Sequence, residues 1–166
     1  EVFIMIDDIE LLHLMENNAR LSSAEMATML AVSEDEVNLE IKRLRDENII
    51  LGYSTIINWE KKAPDTCIGM IEVRIAPIKN KGYDHIAQIL SRYDKVSACY
   101  LVSGGFDLMI IYEDKTLRDI ANFVSEKIAT QEGVLSTTTH FILKKYKANG
   151  IIYDNPNKDD RQAIIL

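Results

Sequence analysis

The chain has 166 residues, 47% of them hydrophobic and 27% charged, with a net charge of −7. That composition suits a globular protein with one good core, or a small core beside a medium one. No stretch approaches the roughly 20 apolar residues that span a bilayer, and the start of the chain reaches Asp7-Asp8 after a short apolar run with no basic region like that of a signal peptide, so a cytoplasmic protein without a membrane partner is expected.

The first periodic segment runs from Asp7 to Met15, where the acids suit a helix start and Ile9, Leu12 and Met15 fall on one face. Ser22-Ser23-Ala24-Glu25 then spells a capping box, with Met26, Met29 and Leu30 as the apolar face behind it. Ser33-Glu34-Asp35-Glu36 repeats the device and opens a third helix. Val37, Ile41 and Leu44 form the core stripe of that helix, and Asp35, Leu39 and Lys42 face outward, flanked by Glu36, Asn38 and Arg43. Two capped helices separated by the tight Ala31-Val32 turn match a helix-turn-helix, although a bundle whose middle helix serves packing alone has the same periodicity. Asn48 stands where a left-handed residue commonly ends a helix. The β-branched run from Ile49 to Asn58 reads as a strand, either a wing or a link.

The pattern changes after Lys61-Lys62-Ala63-Pro64. Strands are expected over Ile68 to Ala76, Val96 to Val102, Phe106 to Tyr112 and Ser136 to Tyr146, with helices over Tyr83 to Ser91 and Thr116 to Thr130. The order βαββαβ is that of a ferredoxin-like sandwich, in which two helices cover one face of four antiparallel strands. The other face needs cover from elsewhere, and Ile71, Val73 and Ile75 are expected to lack it within one chain. Cys67 and Cys99 lie in apolar strands on either side of a third, so buried thiols are expected rather than a disulfide.

Charge runs against the helix-turn-helix. Residues 1–60 hold 13 acids against 4 bases, Arg20, Lys42, Arg43 and Arg45, a net −9. Affinity for a duplex comes largely from cations that displace phosphate counterions.

Taken in order, Asp7-Asp8-Ile9, the capped helices, Ile50-Leu51-Gly52-Tyr53 and Leu101-Val102-Ser103-Gly104-Gly105-Phe106-Asp107 resemble the Lrp/AsnC (feast/famine) transcriptional regulators over nearly the whole chain. The tail, Gly150-Ile151-Ile152-Tyr153 through Asp159-Asp160-Arg161, is similar to an extension seen in part of that family. The resemblance implies an α+β protein with a winged helix-turn-helix at 1–52, a linker strand at 53–65, a βαββαβ effector-binding and dimerisation domain at 66–147, and an extension at 148–166. It also implies double-stranded DNA as partner, homodimers that assemble to octamers, no cofactor, and control by a small effector such as an amino acid. Ser22, Ser23, Asn38, Lys42, Arg43 and Arg45 are the candidate DNA contacts. Leu101, Val102, Ser103, Gly104, Gly105 and Asp107 are the candidate effector contacts. In this reading the glycines form a tight hairpin turn whose open N–H groups meet a carboxylate, and Asp107 takes the ammonium.

Two residues depart from the family pattern. Ala31 replaces a usual turn glycine and serves only if the turn does not need positive φ; Glu40 replaces a usual base with a charge that repels phosphate. His13, His85 and His140 lie on separate elements with no metal-ligand spacing, and the glycine pair lacks a phosphate-loop lysine, so neither a metal site nor an enzyme is expected. Two functions stay open: a DNA-binding regulator, favoured by the caps and the Lys42-Arg43-Arg45 cluster, and an amino-acid sensor or scaffold without DNA binding, favoured by the acidity.

Overall fold

A computed structural model describes residues 6–76 and 84–153. The expected break at Pro77, the helix start at Tyr83 and the tail with Asp159, Asp160 and Arg161 lie outside the described residues. The chain divides between Ile56 and Ile57 into two compact units.

The first unit holds α1 (Asp8–Asn17), α2 (Ser23–Leu30) and α3 (Glu34–Asp46). Each starts on the cap its sequence spells: Asp7 accepts from the Ile9 N–H, and Ser22 and Ser33 form reciprocal capping boxes with Glu25 and Glu36. The core is Leu11, Met15, Met26, Ala27, Val37 and Leu44. Ile9 and Met29, expected inside, are exposed, and Ile41 is half-buried. α1 carries apolar residues on most of its surface, so periodicity alone left its inward face undetermined; Leu11 and Met15, one turn apart, take it. At the end of α3, Asn48 adopts φ 58°. The Ile49 N–H returns to the Leu44 carbonyl at 2.9 Å and the Asn48 N–H to that of Arg45 at 3.0 Å, a Schellman closure.

Ala31 is also left-handed, at φ 56° and ψ 40°. The turn between α2 and α3 therefore does need positive φ, and here an alanine bears it.

The expected strand over 49–58, wing or link, does not form among the described residues. That segment has no regular hydrogen bonding, and Trp59–Lys62 makes a single turn, α4. β-branched sequence supplies strand propensity but not the second row of N–H and C=O groups that a strand needs. Leu51 stays 88% exposed.

The second unit contains β1 (Cys67–Ile75), α5 (Asp84–Leu90), β2 (Val96–Leu101), β3 (Leu108–Asp114), α6 (Leu117–Phe123) continued by a wider π turn over Val124–Ile128, β4 (Val134–Phe141), and a two-residue ribbon of β5 (Lys147–Ala148) and β6 (Ile151–Ile152). The four-stranded sheet is antiparallel in the order β2-β3-β1-β4, the ferredoxin-like βαββαβ arrangement. Its helix-covered face carries Ile71, Val73 and Ile75 beside Leu108, Ile110 and Tyr112, packed on Ile86, Leu90, Ile120, Phe123 and Ile128. The three β1 residues expected to lack cover are thus fully inside. The pleat puts Met70, Glu72, Met109, Ile111, Tyr100 and His140 on the open face instead, with the His140 ring 3.1 Å from Glu72. Gly69 lets α6 approach β1: a Cβ there would lie 2.9 Å from the Ile120 side chain.

β4 stops at Phe141, short of the expected Tyr146. Its last bond, from the Ile142 N–H to the Ile68 carbonyl at 2.9 Å, uses up β1, which begins at Cys67. Cys67 and Cys99 are free thiols, half-buried rather than fully buried.

Ala31→Gly should raise the urea midpoint of the helical circular-dichroism signal. Releasing a left-handed alanine recovers about 1–2 kcal/mol, less the added freedom of glycine in the unfolded chain, for a net gain of about 0.5–1 kcal/mol. An unchanged or lowered midpoint would show that the turn is not strained.

Candidate functional site

Ser22, Ser23, Asn38, Lys42, Arg43 and Arg45 lie on the second and third helices of the first unit and take three different roles. Ser22 caps: its hydroxyl and backbone N–H both meet Glu25. Ser23 donates from Oγ to Asn38 Oδ1 at 2.6 Å, which ties α2 to α3 and leaves the Asn38 amide N–H groups to donate outward. Lys42 and Arg45 are exposed and form no ion pair among the described residues. At about 100° per residue, Asn38, Leu39, Lys42 and Arg45 share one exposed face of α3 with Asp35.

Arg43 points elsewhere. Its guanidinium meets Asp8 Oδ2 at 2.5 Å, Glu47 at 2.7 and 2.9 Å, and Glu40 through Nε at 2.8 Å and through Nη2. Three carboxylates on one guanidinium leave it no free fork for a phosphate. Glu40 is neutralised by the same contact and lies nearly opposite Lys42, so the repulsion expected of it is withdrawn from the exposed face. The hydrogen bond from Arg43 is the largest influence on Asp8 and holds its carboxyl below the ordinary value of 3.8. Backbone and hydroxyl donation from Ser33 likewise lowers Glu36. Glu34 and Asp35 remain as exposed acids at the start of α3.

In the second unit, Leu101 ends β2, and residues 102–107 form a six-residue loop rather than a tight two-residue turn. The Val102 N–H donates to the Asp107 carbonyl at 2.9 Å and closes it. Gly104 has φ 156°, while Gly105 is outside the positive range, and a Cβ at Gly105 would meet nothing within 4 Å. Neither the backbone nor the packing of this chain calls for a glycine at 105. The N–H groups of Ser103, Gly104, Gly105 and Phe106 donate to no acceptor among the described residues.

Asp107 is tied inward. Its N–H donates to the Val73 carbonyl at 3.0 Å, and its Oδ2 accepts from the Ile75 N–H at 2.7 Å. β3 begins only at Leu108, so this carboxylate stands in for the strand that Ile75 would otherwise pair with. Oδ1 is left for any further donor. At the far end of β3, burial and the adjacent Asp114 push the Tyr112 hydroxyl up to about 12. Burial also pushes Asp114 up, but the Lys95 ammonium at 2.8 Å, the Lys115 N–H and the Tyr112 hydroxyl outweigh it and keep the carboxyl below its usual range.

Sequence reasoning missed the Arg43 cluster as a structural lock. The i−3 and i+4 spacing of Glu40 and Glu47 signals half of it; Asp8, 35 residues away, has no sequence signal. The tie from Asp107 to Ile75 has none either. Among the described residues no three His, Cys, Asp or Glu side chains group as a metal site, and no helix is long and apolar enough to cross a membrane.

The family model of the Lrp/AsnC ligand-binding domain matches residues 68–152. The HTH-type transcriptional regulator YugG of Bacillus subtilis is 36% identical over 158 residues, 95% of this chain and 95% of that protein. The HTH-type transcriptional regulator LrpA of Pyrococcus horikoshii is 30% identical over 86% of this chain and the whole of its own. Among solved structures, a feast or famine regulatory protein from M. tuberculosis, complexed with L-methionine, superposes with a TM-score of 0.70 at 23% identity, over 86% of this chain and 95% of that one. At that identity the likeness shows the fold. The relatives are named as transcriptional regulators, a non-enzymatic function.

The Asp8 to Arg43 contact makes a prediction about pH. A carboxyl lowered in the folded state adds stability above its unfolded value of 3.8, and that stability is lost as pH falls through the lowered folded value. Asp8→Asn should therefore lower the thermal midpoint at neutral pH, and the gap from the parent should close as pH falls below about 4. A gap that stays constant from neutral pH to about pH 3 would show that the ion pair contributes nothing.

Proposed function

The chain belongs to the Lrp/AsnC family of transcriptional regulators, and from that premise we propose that it binds DNA sequence-specifically through α3 and answers to an amino acid at the loop over 102–107. The observation that carries the DNA reading is the exposed face of α3. There Asn38 presents amide donors, Leu39, 68% exposed, presents an apolar side chain, and Lys42 and Arg45 present cations, with Arg43 and Glu40 turned away. Amide and basic side chains suit base edges and phosphates, and an exposed leucine suits a thymine methyl.

The loop supports a carboxylate ligand by its four unclaimed N–H groups and its unconstrained Gly105. Asp107 Oδ1 is the acceptor left for the ammonium. The L-methionine complex of a structural relative supports an amino acid as effector class. The half-apolar open face of the sheet, with Met70, Met109, Ile111 and Tyr100, supports self-association to a homodimer, from which octamers are built. Outside the Arg43 cluster the first unit has three bases, Arg20, Lys42 and Arg45, and that small number supports the competing reading of an amino-acid sensor that does not bind DNA.

A titration of the full chain into its own upstream DNA decides between them. The parent should bind at low salt and change affinity when amino acids are added. Glu34→Gln with Asp35→Asn should bind more tightly, since two repelling charges leave the α3 surface while the Ser33 to Glu36 cap stays. No binding by either protein, at any salt and with amino acids present, would overturn the DNA reading.

The effector is tested separately by thermal shift with single amino acids, methionine included. Gly105→Ala should keep the unliganded midpoint and lose the ligand shift, because its methyl fills space that only a ligand would use. Asp107→Ala is the poorer probe: it strips the acceptor from the Ile75 N–H and costs about 1–3 kcal/mol whether or not a ligand binds. Equal ligand shifts in Gly105→Ala and the parent would remove the loop from effector binding.

A further inference from the structure

Of the 19 Lys and Arg residues in this chain, only four fall in the unit that holds the helix-turn-helix. Beyond Phe141 the chain leaves the sheet, and the Lys145 N–H donates to Glu60 Oε1 at 3.2 Å, which fastens this stretch to the α4 turn. Lys61, Lys144 and Lys145 then line one small cavity of about 180 Å³ with Asn58, Glu60 and Tyr153. The Tyr153 N–H closes the following ribbon on the Tyr146 carbonyl at 3.0 Å. Lys144 lies 5.0 Å from the centre of the Tyr146 ring and Lys145 5.9 Å from that of Tyr153. Lys62 and Lys147, both exposed, extend the same stretches. Residues 57–66 and 142–153 together hold five lysines against two acids, Glu60 and Asp65, and the Lys145 N–H already engages Glu60.

We infer that Lys61, Lys62, Lys145 and Lys147 form a second DNA-contact surface on the βαββαβ unit, one that binds phosphates rather than bases. The inference rests on the DNA-binding reading above. Lysine ammonium groups on flexible stems are point charges that follow a run of phosphates, whereas an arginine fork or a backbone nest adds the fixed geometry that singles out one small dianion. Neither an arginine nor a glycine loop lines this cavity. The first unit supplies specificity with few cations, and its net −8 over residues 1–56 opposes the polyanion. The lysine surface supplies the counterion release that the first unit lacks.

The test compares the full chain with a Lys61→Gln, Lys62→Gln, Lys145→Gln variant on the upstream duplex and on an unrelated duplex, across a salt series. The triple variant should bind both duplexes more weakly by the same factor, and its log–log salt slope should fall by about 3 per engaged protomer, near one for each phosphate no longer neutralised. Thermal midpoint, mass and amino-acid response should not change, and arginine at the three positions should restore affinity. By contrast, Lys42→Gln with Arg45→Gln should reduce the preference for one duplex over the other. Parent binding with an unchanged slope in the triple variant would overturn the second surface alone and leave it to an acidic protein partner. No parent binding at low salt would remove both this inference and the DNA reading beneath it.

Discussion

In a four-stranded sheet covered on one side, a strand paired on both edges decides what each face can be, and β1 is such a strand here. Its odd-numbered residues Ile71, Val73 and Ile75 share one core with residues of both helices, and Gly69 lets the Ile120 side chain of α6 come to 2.9 Å from where a Cβ would stand. Its even-numbered residues, Met70 and Glu72, set the open face. A shift of one residue would exchange the two sets. The candidate effector loop depends on the same strand, because Asp107 bonds the Val73 carbonyl and the Ile75 N–H. The loop is therefore held from beneath by β1 while its own N–H groups stay unclaimed. Any group that pulls on Asp107 also pulls on the end of β1.

The first unit is organised by charge as much as by its core. Arg43 joins the end of α3 to the start of α1 through Asp8, with Glu40 and Glu47 completing its shell. The same cluster withdraws Arg43 and Glu40 from any encounter with DNA. What remains on the outer face of α3 is narrower than the sequence implies, and it is also less hostile: Asn38, Leu39, Lys42 and Arg45 stand clear of Glu40. In the proposed function, affinity and specificity are then divided between surfaces. The α3 face carries groups that read, and the lysines around α4 and the terminal ribbon carry charge that holds.

Much of this was legible in the residues themselves. The capping boxes at Ser22 and Ser33, the left-handed Asn48 and the order βαββαβ are local or periodic features, and each depends on residues within a few positions of one another. The expectations that failed share a physical reason. α1 is apolar on most sides, so Leu11 displaces Ile9 from the core only when α2 and α3 arrive. Residues 49–58 have the composition of a strand and no partner to pair with. β4 over Val134–Phe141 stops where its antiparallel partner β1 begins and does not run on to Tyr146.

The sequence by itself determined the elements, their caps and their order, because helix and strand periods and terminal hydrogen bonds are short-range. Tertiary structure alone decided which charges are available. Arg43 reads as a phosphate contact until Asp8, distant in the chain, takes it; Asp107 reads as a ligand acceptor until Ile75 claims one oxygen; Lys61 and Lys145, far apart in the chain, line one cavity with Glu60. An ionic side chain acts through the neighbours within a few ångströms of its head group, and those neighbours are chosen by the fold.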